Sequence, residues 1–295
     1  MIPLRRTRAA RPLVAGLAAL LLVSACTGEQ GSRDDGPAPG ATTAGTTPSA
    51  SPSPVRVPPP PPPPPPPRDT ACYRLSSTQL TRPTDASRSV PCASRHTART
   101  IYVGTLHRVR GRAVPVGSEA AQRQLARTCP RAFASYVGGS TETRELSRLN
   151  VVWFSPTFAQ AARGARWFRC DVVAFGRGDR LLPLPRRKGV LAGALDSADG
   201  LETFGLCGTD APGSRGFERV ACRLRHSWRA VATIPLSGGK RYPGTASVRK
   251  AGDDDCKDQA RSRAADTLKF SYGWEWPTAD QWAAGQHYGY CWVPA

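Results

Sequence analysis

Two histidines and eight of the nine cysteines recur at matched spacing, and they are the residues of this chain that could do chemistry. His96 stands four residues after Cys92, and His226 four residues after Cys222. Cys-x-x-x-His is a ligand-like spacing for zinc, and a histidine near a thiol can also activate a nucleophile. Neither chemistry finds its supporting residues. The chain has no Cys-x-x-Cys pair and no Gly-x-Ser-x-Gly, and no acid pair recurs in both halves to orient a histidine. The expectation is therefore no catalytic residue, no metal and no cofactor. His96 and His226 are read as structural, each bonding a backbone carbonyl beside a bridged cysteine. The competing reading is an enzyme of cell-wall metabolism that uses one of them.

The amino terminus decides what the thiols do. Arg5, Arg6, Arg8 and Arg11 precede an uninterrupted apolar stretch, Leu13 to Val23, which is followed by Ser24-Ala25-Cys26. That order is a secretory signal, too short for a comfortable membrane span. Val23-Ser24-Ala25-Cys26 resembles the lipobox of bacterial lipoproteins, in which the cysteine thiol takes a diacylglycerol before cleavage. Residues 1–25 are thus expected to be a signal peptide and Cys26 the lipidation site. The mature chain would be held at the outer face of the cytoplasmic membrane.

With Cys26 assigned to lipid, eight cysteines remain: Cys72, Cys92, Cys129 and Cys170, then Cys207, Cys222, Cys256 and Cys291. An even set at repeated spacing in an exported chain is a disulfide framework. Four cysteines per half allow three pairings, and sequence alone does not choose among them. The favoured arrangement closes local units: Cys72–Cys92 with Cys129–Cys170, and Cys207–Cys222 with Cys256–Cys291. Each bridge would contribute about 2–4 kcal/mol.

Stepping outward from the cysteines, the two halves align. Val90-Pro91-Cys92-x-x-x-His96 matches Val220-Ala221-Cys222-x-x-x-His226, and an apolar segment follows each. Each half closes on one signature, Trp153 to Gly164 and Trp274 to Gly285, with Pro-Thr-x-x-Gln-x-x-x-Gly common to both. Two divergent tandem copies are expected, residues 69–185 and 200–295. Alternation predicts short strands around Cys92, over Ile101–Leu106 and over Leu149–Phe154. Arg166 to Phe175 and His287 to Val293 are read as strands carrying the last cysteines. Ser118 to Arg127 reads as a helix with Ser118 as N-cap. In the signature, Ser155 is the expected cap, Pro156 the first helical residue and Gly164 the terminator. Trp276 at the equivalent of Ser155 predicts a weaker cap in the second copy. Asp253-Asp254-Asp255 suits a helix N-terminus. Most of the tryptophans should be core. The fold class is α+β, one small disulfide-stapled mixed domain used twice.

Residues 26–68 have no core-forming composition. They run through Gly, Ala, Ser, Thr and Pro into ten consecutive prolines, Pro58 to Pro67. Such a run is an extended left-handed rod of roughly 30 Å, read here as a stalk. The formal charge is +19, and the chain stays strongly basic after a signal peptide is removed. Outside the cell this favours wall polymers, anionic headgroups or acidic proteins over nucleic acid. Arg186-Arg187-Lys188 is read as a solvated loop joining the copies.

Cys72-Tyr73-x-Leu75, Cys92-x-x-x-His96, the lone Cys129 and Pro156-Thr157 to Cys170 resemble the septum-formation domain family of actinobacterial surface proteins. Pro277-Thr278 to Cys291 repeats the closing part. The resemblance implies a role at the cell envelope, near the division septum, and supplies no catalytic residues. The resulting expectation is a non-enzymatic lipoprotein that binds an anionic wall component or a septal membrane protein.

Overall fold

A computed structural model describes residues 61–109, 111–187 and 189–295. The expected signal segment, Cys26 and most of the expected stalk lie outside the described residues. The first half begins with β1 (Cys72–Tyr73) and β2 (Ala98–Thr105), followed by a small hairpin, β3 (Arg108–Val109) and β4 (Arg112–Ala113). Then come α1 (Glu119–Val137), α2 (Thr141–Glu145), β5 (Leu149–Phe154), α3 (Phe158–Ala162) and β6 (Trp167–Ala174). The second half holds α4 (Ala198–Phe204), β7 (Leu206–Gly208), β8 (Arg219–Ala221) and β9 (Trp228–Pro235). It continues with α5 (Thr245–Ala251), α6 (Asp253–Arg261), β10 (Gly273–Glu275), α7 (Ala279–Ala283) and β11 (Tyr288–Pro294). The architecture is mixed α+β, with two principal antiparallel sheets and four disulfides.

The sheets run β1-β2-β6-β5 and β10-β11-β9-β7-β8. Reading the second without β8 gives β7-β9-β11-β10, so in both halves the last strand sits between the second and the third. The registers correspond as well: Cys72 lies opposite Arg99, and Cys207 opposite Arg229. One step further each long strand bulges. Thr100 and Tyr102 face Asp171 and Cys170, leaving Ile101 extra; Ala230 and Ala232 face Trp292 and Cys291, leaving Val231 extra. A bulge bends a strand locally and re-aims its side chains. Here it falls beside the cysteine that each last strand contributes to a bridge.

Helix α1 starts where the sequence places it, with Ser118 Oγ accepting the Ala121 amide. It runs ten residues past the expected end at Arg127, carrying Pro130 in its interior. A proline there removes one amide donor and costs a few kcal/mol in an isolated helix. Burial of Leu125, Cys129, Phe133 and Val137 against β5 and β6 outweighs that cost. The stretch around Cys92 is a turn rather than a strand, closed by the Ser94 amide on the Pro91 carbonyl. Only Val90, in an isolated bridge to Cys72, retains strand pairing there.

The signature helices correct the expected capping. Thr157, not Ser155, is the N-cap of α3, so Pro156 stands outside the helix. Thr157 accepts the Gln160 amide while the Gln160 side chain accepts the Thr157 amide, a reciprocal capping box. Thr278 and Gln281 make the same pair in α7, so the second cap is not weaker and Trp276 plays no part in it. Ser155 is occupied elsewhere, its hydroxyl and amide both donating to the Pro83 carbonyl. Both helices end alike. The Gly164 amide bonds to Ala161 and the Ala165 amide to Gln160; Gly285 and Gln286 repeat this on Trp282 and Gln281. Gly164 and Gly285 have φ of 91° and 93°, a conformation that favours glycine.

The halves share backbone. The Leu206 amide bonds to the Leu146 carbonyl and the Arg148 amide to Phe204, while Leu146 packs among Leu206, Ala230 and Trp292 of the second sheet. Conversely, Leu191, Leu195 and Phe204 belong to the core under α1. The segment between residues 185 and 200 is thus part of the first core and not a free tether. Arg186 and Arg187 in it are exposed.

Candidate functional site

The cysteines pair as Cys72–Cys92, Cys129–Cys170, Cys207–Cys222 and Cys256–Cys291. The second bridge of each half fastens a helix, α1 or α6, to the last strand. The first fastens the opening strand to the turn that leads to the histidine. In that turn His96 Nδ1 lies 2.8 Å from the Ser94 carbonyl, and His226 Nδ1 lies 2.7 Å from the Leu224 carbonyl. A carbonyl only accepts, so in both cases Nδ1 carries the hydrogen. His96 is fully buried and its Nε2 has no hydrogen-bond partner, whereas His226 is partly exposed. The structure does not bring the two histidines to one site. Each holds its own turn. Among the described residues no group of three or more His, Cys, Asp or Glu side chains could hold a metal. No helix among them is long and apolar enough to cross a membrane.

Each sheet has a second face, away from its bridged helix, and there the halves diverge. In the first half Arg169 of β6 is buried between the rings of Tyr73 and Phe154, at 3.8 and 4.8 Å. Its Nη2 is 2.7 Å from Asp85 and its Nε 2.9 Å from Asp171, while the Thr100 hydroxyl donates to the other Asp171 oxygen. Burial alone would lower the Arg169 pKa, but Asp171, Tyr73 and Asp85 hold it above the ordinary value. One cation cannot neutralise two carboxylates. Burial pushes the wholly enclosed Asp171 up, further than Arg169 and Thr100 pull it back. Leu75, Leu80 and Asp85, from the chain between Cys72 and Cys92, close this face over.

In the second half the first two cysteines stand closer in sequence, separated by 15 positions against 20. The positions of Arg169 and Asp171 are taken by Tyr290 and Trp292. An arginine returns from another element: Arg219 of β8 lies 4.9 Å over the Tyr290 ring and 2.8 Å from Glu275, which also accepts the Trp292 indole N–H. Burial opposes the charge of Arg219, and Glu275 and Tyr290 hold its pKa up. Phe217 of this half's own inter-cysteine chain covers Trp292, with ring centres 5.2 Å apart, but does not close the whole face. The face borders a cavity of about 400 Å³ between the halves, to which Arg148, Glu145 and Tyr288 also contribute. Burial pushes the Arg148 pKa down to about 10, helped by the like charge of Arg219. Burial likewise raises Glu145, although the Thr233 hydroxyl bond works against it, and raises Tyr288.

None of the cavity's charged residues stood out in the sequence. Their signal there would have been a difference between the halves: Arg169 and Asp171 set against Tyr290 and Trp292. Of the signature tryptophans, Trp167, Trp274, Trp282 and Trp292 are buried, while Trp153 and Trp276 are half-buried.

Paired antiparallel sheets, each stapled to a helix by one disulfide and to a turn by another, define the class as a disulfide-bonded α+β protein. The chain belongs to a particular family within it: the septum formation family, whose profile matches residues 69–291. No curated protein and no solved structure matches the chain. Four disulfides form in an oxidising compartment, and with the family they make this an extracellular or envelope protein.

Proposed function

We propose that this chain is a non-enzymatic lipoprotein of the dividing cell envelope, built from two tandem copies of one domain and binding an anionic wall component or a septal protein. The family supports the setting. Matching strand order, the bulge at Ile101 and Val231, the paired capping boxes and the corresponding bridges support duplication. Cys26 is the lipid attachment site in this reading, and the stalk lifts the folded part from the membrane. The observation that carries the non-enzymatic reading is the pair of Nδ1–carbonyl bonds, two residues back along the chain in each copy. A histidine spent on its own turn is a fastening.

Replacing both histidines by asparagine tests this, because the asparagine amide can donate as Nδ1 does. The expected outcome is a folded protein that still supports division; a folded protein without function would favour a histidine-dependent enzyme. Sedimentation of the purified chain with isolated cell walls, from about 0.05 to about 0.5 M salt, tests the binding half. Binding to an anionic polymer should fall steeply as screening grows. Salt-independent recovery of one membrane protein would point to the septal partner instead.

A further inference from the structure

The 400 Å³ cavity does not end at Arg148. It meets a second cavity of about 580 Å³ at Asn150 and Phe175, and that one follows the outer edge of β5 past Val151, Val152 and Trp153. The parity of this edge follows from one bond, the Phe175 amide on the Arg148 carbonyl. In an antiparallel ladder bonded pairs alternate, so residues 150, 152 and 154 bond inward to β6 while 149, 151 and 153 point outward. Beyond them the Ser155 amide is taken by Pro83. The Val151 amide is taken by the side chain of Asn150. The Val151 carbonyl and both backbone groups of Trp153 have no protein partner among the described residues. An open edge with a cavity along it is a template for one more strand.

At the end of that path stands a cation with capacity to spare. Arg148 lies over the Phe175 ring, 5.6 Å from its centre, and its Nη2 donates to the carbonyls of Gly176 and Gly178. Its Nε is buried without a partner, and its Nη1 makes no hydrogen bond among the described residues. No carboxylate lies within ion-pair distance of it there. Arg169 and Arg219, which lie over tyrosine rings, each hold a carboxylate, whereas Arg148 shares with Arg249, over Trp276, the lack of an ion pair among the described residues. Direction adds the last constraint. A strand laid antiparallel to β5 has its C-terminus at the Arg148 end. At about 3.4 Å per residue, the outward stretch from residue 149 to 153 takes roughly five residues of such a strand.

We propose that the groove along the β5 edge binds an extended peptide, antiparallel to β5, with its terminal carboxylate on Arg148. This rests on reading the chain as a binding protein and specifies a partner: a polypeptide with a free C-terminus.

Two pools of synthetic pentapeptides with identical sequences, one with free carboxylates and one amidated, would be passed over the immobilised, disulfide-intact mature chain. The retained peptides would be counted by mass spectrometry. The expected result is about tenfold enrichment of free acids over the corresponding amides. Arg148→Met should abolish the preference and Arg148→Lys should retain part of it. If Arg148→Met fails to fold, the acid-to-amide ratio read at about 0.5 M salt, where attraction to the basic surface at large is screened, still decides the matter. Equal retention of the two pools, or retention of neither, overturns the proposal. Wall sedimentation is an independent readout. Loss of peptide discrimination with intact wall binding sinks only the groove, and the reverse outcome sinks only the wall-polymer reading.

Discussion

On the helix side of the sheets, Cys129–Cys170 and Cys256–Cys291 tie α1 and α6 to the last strands one ladder step from equivalent bulges. On the other side Arg169 and Asp171 in the first half stand against Tyr290 and Trp292 in the second. The helix face must meet a covalent bond whose cysteines need Cα atoms about 5–6 Å apart, so register and bulge are held. The opposite face has no such constraint. In the first half its own longer inter-cysteine chain supplies the cover and a carboxylate. In the second half Phe217 of the inter-cysteine chain and Leu146 of the first half share the cover, and they leave a cavity. What one half uses to complete itself, the other leaves available.

Removing Arg169 should bring out this difference most strongly. Arg169→Met leaves Asp85 and Asp171, 7% and 0% exposed, without their cation, and should cost about 3–5 kcal/mol. Arg219→Met removes a pair about a quarter exposed, and should cost about 1 kcal/mol. Chemical denaturation of the two variants measures both. Equal costs would mean that the second face is sealed as tightly as the first.

Opening the helix-face bridges should instead make the halves look alike. The loops close over 41 and 35 residues, for which chain entropy gives nearly equal stabilisation of about 4 kcal/mol. Replacing Cys129 with Cys170, or Cys256 with Cys291, by alanine pairs should lower one shared unfolding transition by similar amounts. The shared transition follows from Leu146 and Phe204, each of which is packed in the other half's core. Two separate transitions by calorimetry would break the comparison.

How much of this was legible in the sequence follows the same division. The helix face was readable because cysteines and the Pro-Thr-x-x-Gln signature mark it at fixed spacing. Even so, the cap was misplaced by two residues: Ser-Pro is a familiar helix opening, but the reciprocal Thr-x-x-Gln bonds decide the start. The extension of α1 past Arg127 was hidden because Pro130 opposes it locally and only tertiary burial supports it. The cavity was not readable at all, since Arg148, Arg219 and Tyr290 are far apart in the chain and no periodicity links them. Thr157→Ala and Thr278→Ala each remove one of the capping boxes, and each should cost about 1 kcal/mol. Unequal costs would show that the repeated geometry is not repeated in energy.

A last difference concerns protons, and it belongs to the sealed face. Burial raises the Asp171 pKa in the folded state, so the native protein binds a proton there more readily than the unfolded chain does. The stability this contributes is fully present below the ordinary carboxyl pKa of about 3.9, and is lost as pH rises through the elevated folded value. Asp171→Asn removes the titration and leaves Arg169 with one carboxylate, Asp85. The variant should therefore gain on the unaltered protein as pH is raised from about 4 to about 8. Paired urea titrations at the two pH values measure the differences. A variant that instead loses ground as pH rises would mean that Arg169 keeps both carboxylates ionised, and that the sealed face holds its charge as firmly as the open one.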